Sequence, residues 1–327
     1  MATMRAVTLH RYGEVRDVVG VEDVPVPAIG ENDLLVRVGA SAVNPGDWFL
    51  VRGVPYLFRL VVGLTKPRNP VMGLVVAGTV EQVGAAVADV RPGETVYAEV
   101  SAGGFAEYAR VPAAAAARTP SNLTIEQAAA VPLVGVTALQ AMRDIGRVGP
   151  GQRVLINGAS GGVGTFAVQI AAAFRAHVTG VCGTGSVDLV RSLGADEVID
   201  YTVTDFTDCG QQWDVILDNV GNRTMAHLRR ALTAKGTLIP SANSGGDVLG
   251  GLGRVIHSLV ETPFVSQRLR PFLARSSSAD LAELTRMIEE GSLTPVIDST
   301  YALADAAKAL EHYGDGHSHG KVIITVT

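Results

Sequence analysis

The 327-residue sequence predicts an α/β chain in two parts, a small barrel of short strands and a doubly wound parallel sheet. Three observations carry this. Gly158-Ala159-Ser160-Gly161-Gly162-Val163-Gly164 stands between the apolar run Val154-Leu155-Ile156 and an Ala-rich stretch at 165–174 with helical spacing. From Thr124 onward, strand-like runs alternate with helix-like ones. Before it, short apolar or alternating runs are separated by Gly, Pro, Asn and Asp, with almost no helical periodicity. The length agrees, since about 100–200 residues per domain points to two domains.

In chain order, residues 6–9, 34–40, 71–84, 94–100 and 105–111 read as strands, and the alanine run at 113–117 continues a strand and its turn. Thr124 ahead of Ile125-Glu126-Gln127 is a capping residue followed by helix formers. Strand candidates then fall at 154–157, 176–181, 197–199, 213–218 and 236–240. A Gly-rich segment occupies 241–253, an amphipathic helix fits 279–290, and 293–327 returns to strand, helix and strand, ending at 321–326.

Composition excludes several function classes. The chain is 47% hydrophobic and 18% charged, with a formal net charge of −5, as expected of a soluble globular protein. An acidic chain without a Lys/Arg block lacks the electrostatic footprint of a nucleic-acid or anionic-membrane partner. The first ten residues carry an isolated Arg5 and no long apolar core, and no run of about 18 uncharged apolar residues offers a membrane span. A cytoplasmic location is expected. Two cysteines, Cys182 and Cys209, exclude a disulfide framework and the thiolate clusters of structural zinc.

A strand, a glycine turn and a helix in succession are what a dinucleotide site requires. Glycine lets the backbone approach a pyrophosphate, whose charge then rests on the amides opening the helix, so Ser160, Gly161, Gly162, Val163 and Gly164 are candidate cofactor contacts. Asp218-Asn219-Val220-Gly221 ends a predicted buried strand, where open α/β sheets bind ligands, which adds Asn219 and Gly221. At the end of the second strand an NAD site carries an acid for the adenine ribose. Here the stretch is Cys182-Gly183-Thr184-Gly185-Ser186, with no acid before Asp188. Thr184 and Ser186 are either donors to a 2′-phosphate or ordinary loop polarity. Segment 241–253 is either a mobile lid or a plain loop.

Several ordered motifs resemble the zinc-independent medium-chain dehydrogenases/reductases of the quinone oxidoreductase-like group. They are Ser41-Ala42-Val43-Asn44-Pro45-Gly46-Asp47-Trp48, Val131-Pro132-Leu133-Val134-Gly135-Val136-Thr137-Ala138, the glycine turn, Leu193-Gly194-Ala195-Asp196 with Ile199-Asp200-Tyr201, Asp214-Val215-Ile216-Leu217-Asp218, and Gly320-Lys321-Val322. The resemblance implies a GroES-like β-barrel catalytic domain over 1–122 and 293–327, a Rossmann cofactor domain over 123–292, and a cleft where hydride passes from a nicotinamide to substrate. It implies an NAD(P)H-dependent reductase of an electron-poor small molecule, a quinone or α,β-unsaturated carbonyl. NADPH is favoured and NADH possible. A homodimer pairing through an edge strand at 264–273 is also implied.

The metal ligands of zinc-dependent relatives are missing, and Val75 stands where much of the group has an aspartate. No metal is expected, and His312, His317 and His319 read as a solvated turn rather than a ligand set. Carbonyl polarisation then falls to hydrogen-bond donors. Asn44, in the Val-Asn-Pro turn, is either a cleft donor or a turn asparagine, and Tyr56 is either a proton donor or a packed ring. Thr137 resembles the position that approaches the nicotinamide, and Tyr201 matches the group's Asp-Tyr phosphate side. Lys321 either holds a phosphate or caps the surface.

Overall fold

Asp33–Ala42 is rich in β-branched and small apolar residues, and Leu34, Leu35, Val36, Val38, Ala40 and Ala42 are all buried. This strand, β3, organises one of two compact units in the computed structural model, which describes residues 2–240, 253, 265–316 and 318–326. That unit comprises 1–136, 276–291 and 295–327, and the other comprises 137–275 and 292–294.

In the first unit β1 (Thr3–Leu9) and β2 (Val19–Pro25) form an antiparallel pair. The larger sheet contains β3, β4 (Val75–Val83), β5 (Thr95–Glu99), β6 (Tyr108–Pro112), β7 (Ala116–Arg118), β14 (Ile297–Ala302) and β15 (Lys321–Thr325). Its order is β14-β15-β3-β4-β5-β7, with β6 also on β3. One edge of β3 is shared: β6 pairs its first half, Asp33 to Arg37, and β15 pairs Ala40, Ser41 and Ala42. On its other edge β4 follows with register shifts, and Gly78 of β4 lies so close to the Arg37 carbonyl that a Cβ there would strike it. The last strand thus returns to the first domain, as the resemblance implies. β14 and β15 are parallel, so a crossover is needed, and the helix Ala306–Gly314 supplies it.

The second unit has six strands: β8 (Arg153–Asn157), β9 (His177–Cys182), β10 (Glu197–Asp200), β11 (Trp213–Asp218), β12 (Leu232–Pro240) and β13 (Arg268–Leu269). They pair in parallel in the order β10-β9-β8-β11-β12-β13. This is the doubly wound order, which reverses direction between β8 and β11. Leu155, Ile216, Leu238, Trp213 and Phe206 fill its core. Their strands read as continuous apolar runs because helices cover parallel sheets on both faces.

Three sequence expectations change. The first unit extends past 122 to Val136, because Ile125 of the helix Ile125–Ala129 packs on Gly39 of β3. The helix Ser278–Glu289, expected in the second domain, also belongs to the first unit: Tyr97 donates to the Leu281 carbonyl at 2.8 Å, and the Ser121 amide and hydroxyl donate to Glu289 at 2.8 Å. The strand β2 and the helix Pro45–Arg52 were not expected; β2 is largely exposed and has no alternation to reveal it. Of 264–273, Phe264 lies outside the described residues, and β13 occupies two of the remainder. The 241–253 segment lies outside them too, except Gly253.

The glycine turn sits between β8 and the helix Gly162–Ala173. Gly158 has a left-handed φ of 81°, and a Cβ on Gly164 would run into the Gly158 carbonyl and the Ala159 backbone. At Gly161 the nearest atom to an added Cβ is 3.6 Å away. Gly164→Ala is therefore expected to lose roughly 1–3 kcal/mol through backbone displacement. Gly161→Ala should keep wild-type stability within about 0.5 kcal/mol. Urea unfolding of the two variants checks this, and equal midpoints would contradict it.

Candidate functional site

The helix that follows β8 begins at Gly162 with Gly161 as its N-cap, a residue that has no side chain to cap with. Thr165 N–H is the first to reach back, donating to the Gly161 carbonyl at 2.9 Å. The amides of Gly162, Val163 and Gly164 precede that bond and have no acceptor inside the helix. Ser160, Gly161, Gly162 and Val163 are half-buried, and Gly164 is buried against the strand. A cluster of donors at the positive end of a 12-residue helix whose N-cap is glycine fits a pyrophosphate.

Beside this turn, β8 and β11 end together in a polar network. Asn157 donates from Nδ2 to Asp218 at 2.8 Å and to Asn222 at 3.2 Å. Buried Asp218 also accepts the Gly221 amide at 3.0 Å. Gly221 is at φ 73°, so the turn requires its glycine, and its amide is committed to Asp218 rather than open to a cofactor. Asn219 differs. Its Cβ lies 3.5 Å from where a Cβ on Gly158 would stand, and its Nδ2 is buried with no hydrogen-bond partner among the described residues. A buried amide donor left unpaired costs about 1–3 kcal/mol, which a ligand oxygen there would recover.

At the end of β9, parallel pairing brings Asp200 of β10 opposite Cys182. Thr184 donates to Asp200 Oδ2 at 2.6 Å, and Thr202 to Oδ1 at 2.7 Å; the Thr184 bond first, then Thr202, holds this carboxyl below the usual range. An acid does stand beside the second strand, supplied by the third, which a linear scan of 182–188 misses. Exposed Tyr201 lies over Gly183, where an added Cβ would meet its Oη at 3.3 Å. Ser186, expected at a phosphate, is instead buried at the start of the helix Val187–Ser192. Thr137 is half-buried within the helix Pro132–Gln140, and a π-helical turn, Ala141–Gly146, follows it; such turns recur at functional sites.

Asn44 and Lys321 meet in the first unit, but not as donors toward a ligand. Asn44 is fully buried and caps the helix Pro45–Arg52 in a reciprocal box with Asp47. Its Nδ2 donates to the Ala42 carbonyl at 2.8 Å, and its Oδ1 accepts from Lys321 Nζ at 2.6 Å. Lys321 also donates to the Val43 carbonyl at 2.6 Å, and is 4% exposed. The readings of Asn44 as a substrate donor and Lys321 as a surface phosphate contact are corrected to this extent: both are buried, and they bond each other and the Ala42 and Val43 carbonyls. Burial pushes Asp47 up to about 7, against the Asn44 amide and the Lys321 charge, and pushes Lys321 down to about 7, against Asp47. Asp47 Oδ1 has no hydrogen-bond partner among the described residues, and the Tyr313 phenol beside this cluster is held up by burial and then by the Asp47 charge. The spacing Asn-Pro-x-Asp carries the capping box openly in the sequence; the lysine partner does not.

Tyr56 stands apart from this cluster, half-exposed on a 3₁₀ turn, with the Arg59 guanidinium 4.9 Å from its ring centre. His312 bonds Asp298 at 2.6 Å, and the His319 amide donates to the same carboxylate; His317 lies outside the described residues. Among the described residues no three His, Cys, Asp or Glu side chains form a metal-ligand set, and no helix is long and apolar enough to cross a membrane.

Two family descriptions match the chain: an alcohol dehydrogenase GroES-like domain over residues 30–121 and a zinc-binding dehydrogenase domain over residues 193–324. A chloroplastic quinone oxidoreductase of Triphysaria versicolor is 31% identical over 336 residues, covering 98% of each chain. A trans-enoyl reductase of Aspergillus terreus is 33% identical over 323 residues, 91% of this chain and 87% of that protein. The structure of a mycobacterial protein complexed with NADPH matches with a TM-score of 0.84 at 27% identity, over 98% of this chain and 99% of that one.

Lys321→Met should test the buried cluster. It leaves the Val43 and Asn44 oxygens without their donor and Asp47 without its cation, an expected loss of about 3–5 kcal/mol. The pH trend follows from the remaining acid. Its folded value, about 7 with Lys321 present, rises further without that cation, so its contribution is full below its ordinary value of 3.8 and is lost progressively as pH rises above it. In the wild type Lys321 opposes this, because its depressed value removes stability as pH falls from 10.5 toward about 7. Urea midpoints of the variant should therefore drop between about pH 5 and about pH 8 by more than those of the wild type. Parallel profiles would show that Asp47 and Lys321 are not coupled.

Proposed function

Because the chain belongs to the quinone oxidoreductase group of the medium-chain dehydrogenase/reductase family, we propose that it is an NADPH-dependent reductase of a quinone or an α,β-unsaturated carbonyl, working without a catalytic metal. The observation that carries the cofactor half is the amide cradle at Gly162, Val163 and Gly164, with the Asn219 amide, unpaired among the described residues, beside it. When bound, the reduced nicotinamide supplies hydride. The chain's own part is to seat the pyrophosphate on those amides, to satisfy Asn219 with a cofactor oxygen, and to hold a proton for the oxygen on which negative charge develops. We assign that last role to the Tyr56 phenol, since Asn44 is committed internally. The acceptor classes are those in the names of the two relatives, a quinone and a trans-enoyl group. A cytoplasmic homodimer is part of the same reading.

Turnover of NADPH with a panel of quinones and enones tests it. The enone product should be the saturated carbonyl, with hydride on the β-carbon and a proton on the α-carbon. An allylic alcohol would indicate a carbonyl reductase, and no turnover on any acceptor would leave a nucleotide-binding protein. Tyr56→Phe should slow single-turnover hydride transfer by about a hundredfold, the effect of losing one oxyanion donor, without changing NADPH affinity. An unchanged rate would remove Tyr56 from the mechanism.

Preference for NADPH is supported by the lack of an acid on β9 itself and by exposed Tyr201 and Thr184 at its end. It is kept modest by Asp200, whose carboxylate would face a 2′-phosphate with like charge. Fluorescence titration should give tighter binding of NADPH than NADH. Asp200→Asn should widen that ratio several-fold by strengthening NADPH alone, and an equal gain for both cofactors would place Asp200 away from the 2′ position.

A further inference from the structure

The segment between Asp47 and Glu81 contains no carboxylate and four cations, Arg52, Arg59, Lys66 and Arg68, in a chain whose net charge is −5. Within it Leu57, Leu60, Val61 and Leu64 stand out in solvent, the last three 61%, 68% and 66% exposed. Clustered large aliphatic side chains at this exposure mark a docking surface rather than scattered surface apolarity.

The display is braced from beneath. Arg59 donates to the Gly53 carbonyl at 2.7 Å and stacks between Tyr12 and Tyr56, with its guanidinium 4.6 and 4.9 Å from their ring centres. Tyr12 donates to the Gly63 carbonyl at 2.5 Å, and the Arg68 amide to Val62 at 2.7 Å. Gly63 takes a φ of 131° where a Cβ would strike the Lys66 carbonyl, so the chain folds back and sets Lys66 and Arg68 next to the aliphatic face. Both are exposed, and neither has a carboxylate partner among the described residues; Arg52 is the one cation of the four that pairs, with Glu14 at 3.7 Å.

We propose that residues 57–68 form a peripheral docking surface for an anionic lipid bilayer. Aliphatic side chains enter the interfacial region while Lys66 and Arg68 meet the headgroup charge. Charge decides for this occupant. A second copy of the chain would bring an identical cationic face, and the repulsion of like charges opposes that pairing.

Co-sedimentation with extruded vesicles tests the proposal, comparing pure phosphatidylcholine with a mixture holding roughly 30% phosphatidylglycerol. The full-length protein should bind the anionic vesicles, less so as salt rises, and bind neutral ones weakly. The double variant Lys66→Gln/Arg68→Gln should lower the partition constant about thirtyfold. The triple variant Leu60→Ser/Val61→Ser/Leu64→Ser should abolish sedimentation while keeping its thermal midpoint and its light-scattering mass. Failure of the wild type to bind, or binding that neither variant weakens, would overturn the proposal. So would a mass that falls in the triple variant with no vesicle binding by the wild type, because a second copy would then be the occupant.

Discussion

One buried ammonium group holds the two ends of the first unit together. Lys321 opens the last strand, and its Nζ reaches Val43 and Asn44, which lie 277 and more residues earlier and sit just before the helix Pro45–Arg52. The contact joins the end of β3 to the start of β15, the place where a sheet made from both chain ends has to be closed. The charge has no water to fall back on, so it is tolerable only with complete hydrogen bonding and a nearby anion. Asn44 supplies one acceptor and at the same time caps the helix whose third residue, Asp47, supplies the anion. Cap, strand end and buried charge are therefore one device, and Asn44 Oδ1 and Nδ2 both take part in it.

A comparable economy shapes the second unit, with glycine in place of charge. Helix and strand end approach each other at Gly164 and Gly158 more closely than any side chain permits, and this brings the helix N-terminus to the C-terminal end of β8. The helix start there, like any other, leaves its first three amides without an acceptor inside the helix. Asp218 and Asn157 bond each other and pin the adjacent strand ends, and Asn219 is left as a buried donor with no partner among the described residues.

Charge distribution works on a different scale from total charge. The whole chain is acidic, which speaks against an anionic surface as partner. Yet the carboxylates are absent from one stretch of 33 residues that also carries exposed aliphatic side chains. Electrostatic fields in salt decay within about 8–10 Å, so a local surface responds to its own residues and not to the sum.

The sequence by itself determined the elements whose causes are local. A glycine turn between an apolar run and a helix, a Thr124 cap and the alternation of strand and helix are written in consecutive residues, because sterics and capping act within a turn or two of chain. The linear motifs also carried the family. What they could not carry was partnership across strands. Asp200 stands beside Thr184 because β10 lies next to β9, Lys321 meets Asn44 because β15 lies next to β3, and the helix Ser278–Glu289 joins the first unit because it packs on Tyr97. Strand β2 and the exposure of Leu60, Val61 and Leu64 were likewise decided by what does or does not pack on them. Burial and pairing of this kind depend on strand order, and strand order is set by the summed packing of the whole sheet rather than by any residue's neighbours in sequence.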